Sequence, residues 1–236
     1  MGIINKIILL SALSLSVNIG FCQNIINGHE YVDLGLSVNW ANCNVGSNSP
    51  EEIGDYFAWG ETYSKSCYNK MTYRYSGGKE EIFESLMDYT KYLGKENQLN
   101  PNDVKLEDND DVAYFLWGAK WRMPTMNEVE ELVNNCKWEF GEFKSTKGCW
   151  AISKINGNKI FFPLAGYVYE DRVTDVGASG KYWASELRSD MCFEAYQLYI
   201  SFSDNLAEMN KNKTSVFLSD DGMREYGRSV RPVCKK

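Results

Sequence analysis

Residues 120–136 read KWRMPTMNEVEELVNNC, and the rest of the chain is read according to whether this stretch is catalytic machinery or a helix start. Thr125 is followed three positions later by Glu128, the reciprocal pair in which a hydroxyl and a carboxylate each accept from a backbone N–H of the first turn. Pro124 stands where it can pack against Val129 one turn in. Val129, Leu132, Val133 and Cys136 recur at i, i+3, i+4 and i+7, so one apolar stripe runs along the helix. Glu128, Glu130 and Glu131 crowd the first turns, where the helix dipole favours acids by about 0.3 to 1 kcal/mol each. Thr125 and Glu128 are therefore a structural helix cap, and the polar residues of the segment belong to the scaffold.

Outward from this helix the pattern turns mostly to strands. Upstream, Asp110 sits where an N-cap belongs, ahead of a short helix over 111–118 that carries Val112, Phe115 and Leu116. Downstream, two apolar runs flank Asn156-Gly157, a strong hairpin signal. Further strands are expected at 181–185, 195–203, 215–218 and 228–234. In the second of these Tyr196, Leu198, Ile200 and Phe202 alternate with Gln197, Tyr199 and Ser201, so one face is buried. Near the start, YVDLGLSVNWANCNVG (31–46) reads as a kinked strand or hairpin and GDYFAWGET (54–62) as a buried strand. Residues 63–109 read as a long surface insertion in which only 80–93 is helical, with Ile82, Phe83, Leu86, Tyr89 and Leu93 on one face. The expected class is α+β: two main helices, a twisted antiparallel sheet and long loops in a single domain over 23–236.

The 236 residues are 44% apolar and 14% aromatic, enough to bury a sizeable core. Residues 1–22 hold Lys6, then an apolar run over 7–17, then Gly20 and Cys22. This is the order of a secretory leader, too short in its apolar part to span a bilayer. Cleavage is expected after Cys22; lipid attachment to Cys22 is the alternative, disfavoured by Phe21 just before it. The net charge of −7 becomes −8 once Lys6 leaves with the leader. Such a chain does not seek nucleic acid or an anionic membrane. Six cysteines then remain (Cys43, Cys67, Cys136, Cys149, Cys192 and Cys234), an even count that favours disulfides in an exported chain without selecting a pairing. The absence of any C-x-x-C pair argues against a redox or zinc motif.

Several blocks together resemble one family: VDLGLSVNWANCNVG, GDYFAWGET, WGAKWRMPTMNEVEELVNNC, DVGASGKYWAS (175–185) and GRSVRPVC (227–234). They look like the Fibrobacter succinogenes major paralogous domain of secreted and surface proteins, which is similar in fold to C-type-lectin-like and formylglycine-generating-enzyme (sulfatase-modifying-factor-like) domains. The latter carry an R-[LM]-P-T-x-x-E-W helix start, matched by Arg122, Met123, Pro124, Thr125 and Glu128, with Val129 where tryptophan is usual. The resemblance implies chain ends that lie side by side, with 39–45 pairing with 228–234. Under that pairing Cys43 and Cys234 become the expected disulfide, a closure contributing about 4 to 5 kcal/mol in the chain-entropy model.

The chemistry-bearing residues favour contact over catalysis. None of the sugar-binding calcium motifs of lectins with this fold occurs. EDNDD (107–111) offers hard oxygens from Asp108, Asp110 and Asp111, but no glycine or distal glutamate completes a calcium loop, and no cofactor is expected. Cys192 and Cys234 are the only thiols in the region where a formylglycine-type oxidase carries its reactive pair. His29, the sole histidine, falls near the mature N-terminus, so a nucleophilic triad lacks a base. Trp40, Phe57, Trp59, Trp121, Tyr182 and Trp183 sit in strand patterns and read as core rather than sugar platforms. The late loops at 186–193, 204–214 and 219–226 are rich in polar and charged residues, and loops carry function on a rigid scaffold. Arg188, Asp190, Asn205, Asn210, Asp220 and Arg224 are the expected ligand-binding set. The expected function is an exported, non-enzymatic recognition module for a surface glycan or protein. The alternatives are a formylglycine-generating-type oxidase or carboxylate hydrolase, and a structural envelope protein.

Overall fold

The computed structural model describes residues 24–77, 89–94, 104–201 and 215–236. The expected leader with Cys22, Asn205, Asn210 and most of the expected helix at 80–93 lie outside them. Strand takes up 43% of the structure and helix 11%. The fold is therefore a β-rich antiparallel one, not the expected α+β arrangement with two main helices.

The chain opens with β1 (Ile25–Ile26) and β2 (His29–Val32), joined by Asn27 and Gly28 at φ 50° and 84°. Asn-Gly enters this doubly positive turn more readily than other pairs. Next come β3 (Val38–Ala41), α1 (Val112–Trp117), β4 (Trp121–Arg122) and α2 (Met126–Asn135). β5 (Cys136–Phe143), β6 (Thr146–Ser153) and β7 (Lys159–Pro163) form one antiparallel sheet, and β8 (Tyr167–Tyr169) with β9 (Arg172–Thr174) a ribbon. A meander of β10 (Ser179–Leu187), β11 (Glu194–Ser201) and β12 (Ser215–Met223) follows, and β13 (Val233–Lys235) ends the fold. β13 inserts between β3 and β4, giving the order β1-β2-β3-β13-β4.

The capped helix is as the sequence implies. Thr125 Oγ1 accepts from Glu128 N at 3.2 Å, Glu128 Oε2 accepts from Thr125 N at 2.8 Å, and Val129 and Leu132 are buried. Glu128 also grips Arg122 through two donors at 2.7 and 2.5 Å. For the earlier helix the cap is Asp111, not Asp110: its Oδ1 accepts from Ala113 N and Tyr114 N. With the start shifted by one, Val112, Ala113 and Trp117 face inward, while Phe115 and Leu116 are exposed.

The β10–β11–β12 sheet separates two cores. Trp183, Leu187 and Ala195 belong to one, with Phe57, Trp59, Tyr68, Tyr73, Tyr75 and Tyr92. Tyr182, Ala184, Leu198 and Ile200 belong to the other, with Val129, Leu132, Ile160 and Phe162. Alternation along each strand sends consecutive side chains to opposite cores. The expected core aromatics Trp40, Phe57, Trp59, Trp121, Tyr182 and Trp183 are all at most 2% exposed.

Three further expectations are corrected. Residues 63–109 are not an external layer where they are described, because Tyr68, Tyr73, Tyr75, Tyr89, Tyr92 and Leu106 are buried. Residues 54–62 form no strand, only a bridge of Phe57 to Arg228, and the buried part of the segment is 57–62. The tryptophans fix this segment instead, since Trp59 Nε1 donates to Ala184 O and Trp183 Nε1 to Phe57 O. Among the described residues no disulfide is present. The chain ends do pair, but the register sets Cys234 opposite Asn39. Cys43 is displaced by four residues, about 13 Å at ~3.3 Å per residue, whereas a disulfide spans Cα atoms less than about 7 Å apart. Cys43 Sγ instead lies 3.4 Å from Ser47 O.

Candidate functional site

The three late arginines have different roles, and they define where a ligand can be met. Arg231 is sealed. Its Nε donates to Asn44 Oδ1 and its terminal nitrogens to the carbonyls of Ala41, Asn42 and Phe161. Arg224, expected in the ligand-binding set, has no exposed surface. Nε donates to Tyr73 Oη at 2.8 Å, Nη1 to Cys192 O and Tyr92 O, and Nη2 to Lys91 O. Tyr89 and Tyr73 lie within 4.6 and 5.2 Å of its guanidinium. It is a structural pin, so its placement in the binding set is corrected.

Arg228 is also 3% exposed, yet its Nε and Nη1 find no hydrogen-bond partner among the described residues. The guanidinium lies 4.2 Å from the centre of the Trp183 ring. Gly222 makes room for it, since a Cβ there would stand 2.4 Å from Arg228 Nη1. Buried donors of this kind cost roughly 1 to 3 kcal/mol each when unmet, and Arg228 is the arginine of the three that leaves two of them so. Burial holds its pKa down, to about 10, against the opposing pull of Asp221.

Arg228 borders a recess of about 170 Å³ on the β10–β11–β12 sheet. The register builds its floor by placing Lys181 opposite Tyr199, Tyr199 opposite Phe217 and Gln197 opposite Ser219. Gln197 Nε2 donates to Asp221 Oδ1 at 3.0 Å and to Ser219 Oγ at 3.2 Å, while its Oε1 has no partner. Ser219 Oγ also meets Asp221 Oδ1 closely. Burial would raise the Asp221 carboxyl, but these hydrogen bonds outweigh it and hold it below the usual range, so it is ionised at neutral pH. Lys181 Nζ stands 3.7 Å from the centre of the Tyr167 ring, and burial, then Arg228, holds its pKa below the ordinary lysine value. Tyr199 and Phe217 pair at 5.1 Å, and Phe217 is 44% exposed. The recess thus combines two cations, one carboxylate, an unmet acceptor and an apolar wall.

Among the residues expected from sequence, Arg188, Asp190 and Asp220 do meet. Arg188 Nε lies 3.1 Å from Asp190 and 3.6 Å from Asp220, and Nη1 lies 2.8 Å from Glu194. Asp220 sits between Ser219 and Asp221 in β12, so this cluster occupies the sheet face opposite the recess. Its one guanidinium is already shared by three carboxylates. The residues that sequence reasoning missed are Lys181, Gln197, Asp221 and Arg228. Gln197 and Tyr199 were visible as the polar half of an alternating strand, but only the register shows what stands beside them.

A larger cleft of about 630 Å³ includes Asp108, Lys120, Arg122 and Cys234. It bears on the oxidase reading, and its chemistry is quiet. The Arg122 guanidinium is held by Glu128, and burial pushes the Cys234 thiol above its ordinary pKa, away from the reactive thiolate. His29 lies in β2, stacked 3.7 Å over Trp117, rather than in a loose terminus. Asp110 is taken by Lys91 at 2.6 Å and Tyr92 Oη at 2.7 Å, and Asp111 by backbone N–H groups including Met123 N. Among the described residues no group of three or more His, Cys, Asp or Glu is gathered to hold a metal ion. Nor, among them, is any helix long and apolar enough to cross a membrane.

Compared with protein-family models, with curated proteins and with solved structures, the chain gives no match.

Proposed function

We propose that this chain is an exported recognition module without catalytic activity, and that it binds a surface glycan through the recess bounded by Arg228, Lys181 and the Tyr199–Phe217 pair. The observation that carries the reading is a buried, unpartnered donor set at the edge of an open polar recess with an exposed aromatic wall. Planar polar groups beside an aromatic face suit a sugar, whose hydroxyls need donors and acceptors while its C–H face packs on a ring. The recess carries one carboxylate, Asp221, where glycoside hydrolysis needs two. The leader-like residues 1–22 and the blocks that resemble the Fibrobacter succinogenes major paralogous domain accord with a role outside the cell.

A glycan array probed with the leaderless protein and with Phe217→Ser tests the proposal. Phe217 is exposed enough for the variant to fold, so binding to a defined set of glycans should disappear while the thermal midpoint stays within about 2 °C. Binding that survives in Phe217→Ser, or no glycan bound at all, overturns it.

A further inference from the structure

We infer that the recess selects an acidic sugar, with the acid group of the ligand lodged against Arg228 and Lys181 and its ring against Phe217. This inference rests on the glycan-binding reading above and adds the ligand's charge. Charge counting is the first support. Two cations face one carboxylate, and that carboxylate is already engaged by Gln197 and Ser219. Glu225 and Asp175 act on Arg228 and Lys181 from outside the lining, so the excess of one cation belongs to the lining itself, where an oxyanion meets both cations directly.

Donor supply is the second support. Arg228 Nε and Nη1 are unmet, whereas the donor groups of Arg224 and Arg231 end on protein oxygens. An arginine buried for packing alone is expected to be satisfied like these two. Asp221 acts on Arg228 only through its charge, its carboxylate being bonded to Gln197 and Ser219, and Nε and Nη1 stay without a hydrogen-bond partner among the described residues. Size is the third support. About 170 Å³ admits a carboxylate or sulfate with part of a pyranose ring, and the remainder of the ring must lie outside, where Tyr199 and the exposed Phe217 offer a flat apolar surface.

The test is calorimetric titration of the leaderless protein at near-neutral pH and low salt with four probes. They are a uronic-acid oligosaccharide, its methyl ester, a sulfated neutral-sugar oligosaccharide and the unmodified neutral one. The expected result is binding of the uronate or the sulfated probe, or both, at least about tenfold tighter than the ester and the neutral sugar. Which acidic probe binds assigns the oxyanion. Lys181→Gln, at a half-buried position that tolerates the change, should cut acidic-probe binding several-fold and flatten its salt dependence, with Lys181→Arg restoring both. Arg228→Met should abolish the preference; should that variant fail to fold, the Lys181 pair still decides. Equal binding of acidic and neutral probes overturns the acidic-sugar inference and leaves glycan recognition standing. No binding of any probe, together with an empty glycan array, removes both.

Discussion

Arg224 and Arg228, four residues apart and both closed to solvent, differ in one respect. Arg224 spends its donors on Tyr73 Oη and three backbone carbonyls, and Arg228 leaves Nε and Nη1 unmet. The contrast yields opposite outcomes for the same substitution. Arg224→Met strands a buried hydroxyl and three carbonyls and should cost about 3 to 5 kcal/mol, or prevent folding. Arg228→Met removes a buried, unpaired charge from over Trp183 and should be within about 1 kcal/mol of neutral, or stabilising. Urea unfolding of the two variants checks this. Equal losses would mean that Arg228 is a structural pin after all.

The cap of α2 is a second point of control. Thr125→Ala removes the acceptor for Glu128 N and should cost about 1 kcal/mol. Glu128→Gln removes the charge that grips Arg122 and should cost more, since the pair is largely buried. A double-mutant cycle between Arg122 and Glu128, read by denaturant midpoints, should return a favourable coupling; a value near zero contradicts the scaffold role of the pair.

A third prediction concerns acid. Burial pushes the Asp111 carboxyl up to about 6, against the backbone donors Met123 N, Tyr114 N and Ala113 N. Between its unfolded value near 3.8 and about 6, the folded protein holds a proton there that the unfolded chain has released. The stability from this group is therefore complete below about pH 4 and is lost as pH rises through about 6, amounting to about 3 kcal/mol. Unfolding of the native protein and of Asp111→Asn from pH 4 to 7 isolates it. The difference between the two curves should narrow by that amount as pH rises; a constant difference refutes the assignment.

Cys43 and Cys234 should be alkylated as separate thiols, after denaturation without reductant, by peptide mass mapping. Recovery of a peptide joining them would contradict the β3–β13 register, which holds the two cysteines four residues apart along the strand.

Local rules were legible in the sequence and long-range ones were not. Thr125, Glu128 and the Val129–Leu132 stripe announce themselves within a few positions, and the structure keeps them. Asn27-Gly28 turns with both residues at positive φ, whereas at Asn156-Gly157 only the glycine is, and Ile25 and Ile26 are too short a run to stand out as a strand. β5 escaped because CKWEFGEF begins where the α2 periodicity ends. Tyr73, Tyr75, Tyr89 and Tyr92 looked like surface because they alternate with polar residues. They are buried because Arg224, about 150 positions from Tyr73 along the chain, gathers them. The site suffered most from this limit. Of the expected set, Arg188, Asp190 and Asp220 come together on one face of the sheet, Arg224 enters the core, and Asn205 and Asn210 lie outside the described residues. Lys181, Gln197, Asp221 and Arg228 are joined only by strand register, which no local pattern encodes.

The place of β13 has a last consequence. Val233 bonds to Trp40 on one flank and Arg122 on the other, so until that strand docks, β3 and β4 each present a bare hydrogen-bonding edge. Synthesis delivers those two edges long before the segment that joins them. Clipping the final four residues should therefore act less like trimming a tail than like drawing out a keystone, turning a closed sheet into two adhesive borders that recruit other copies of the chain.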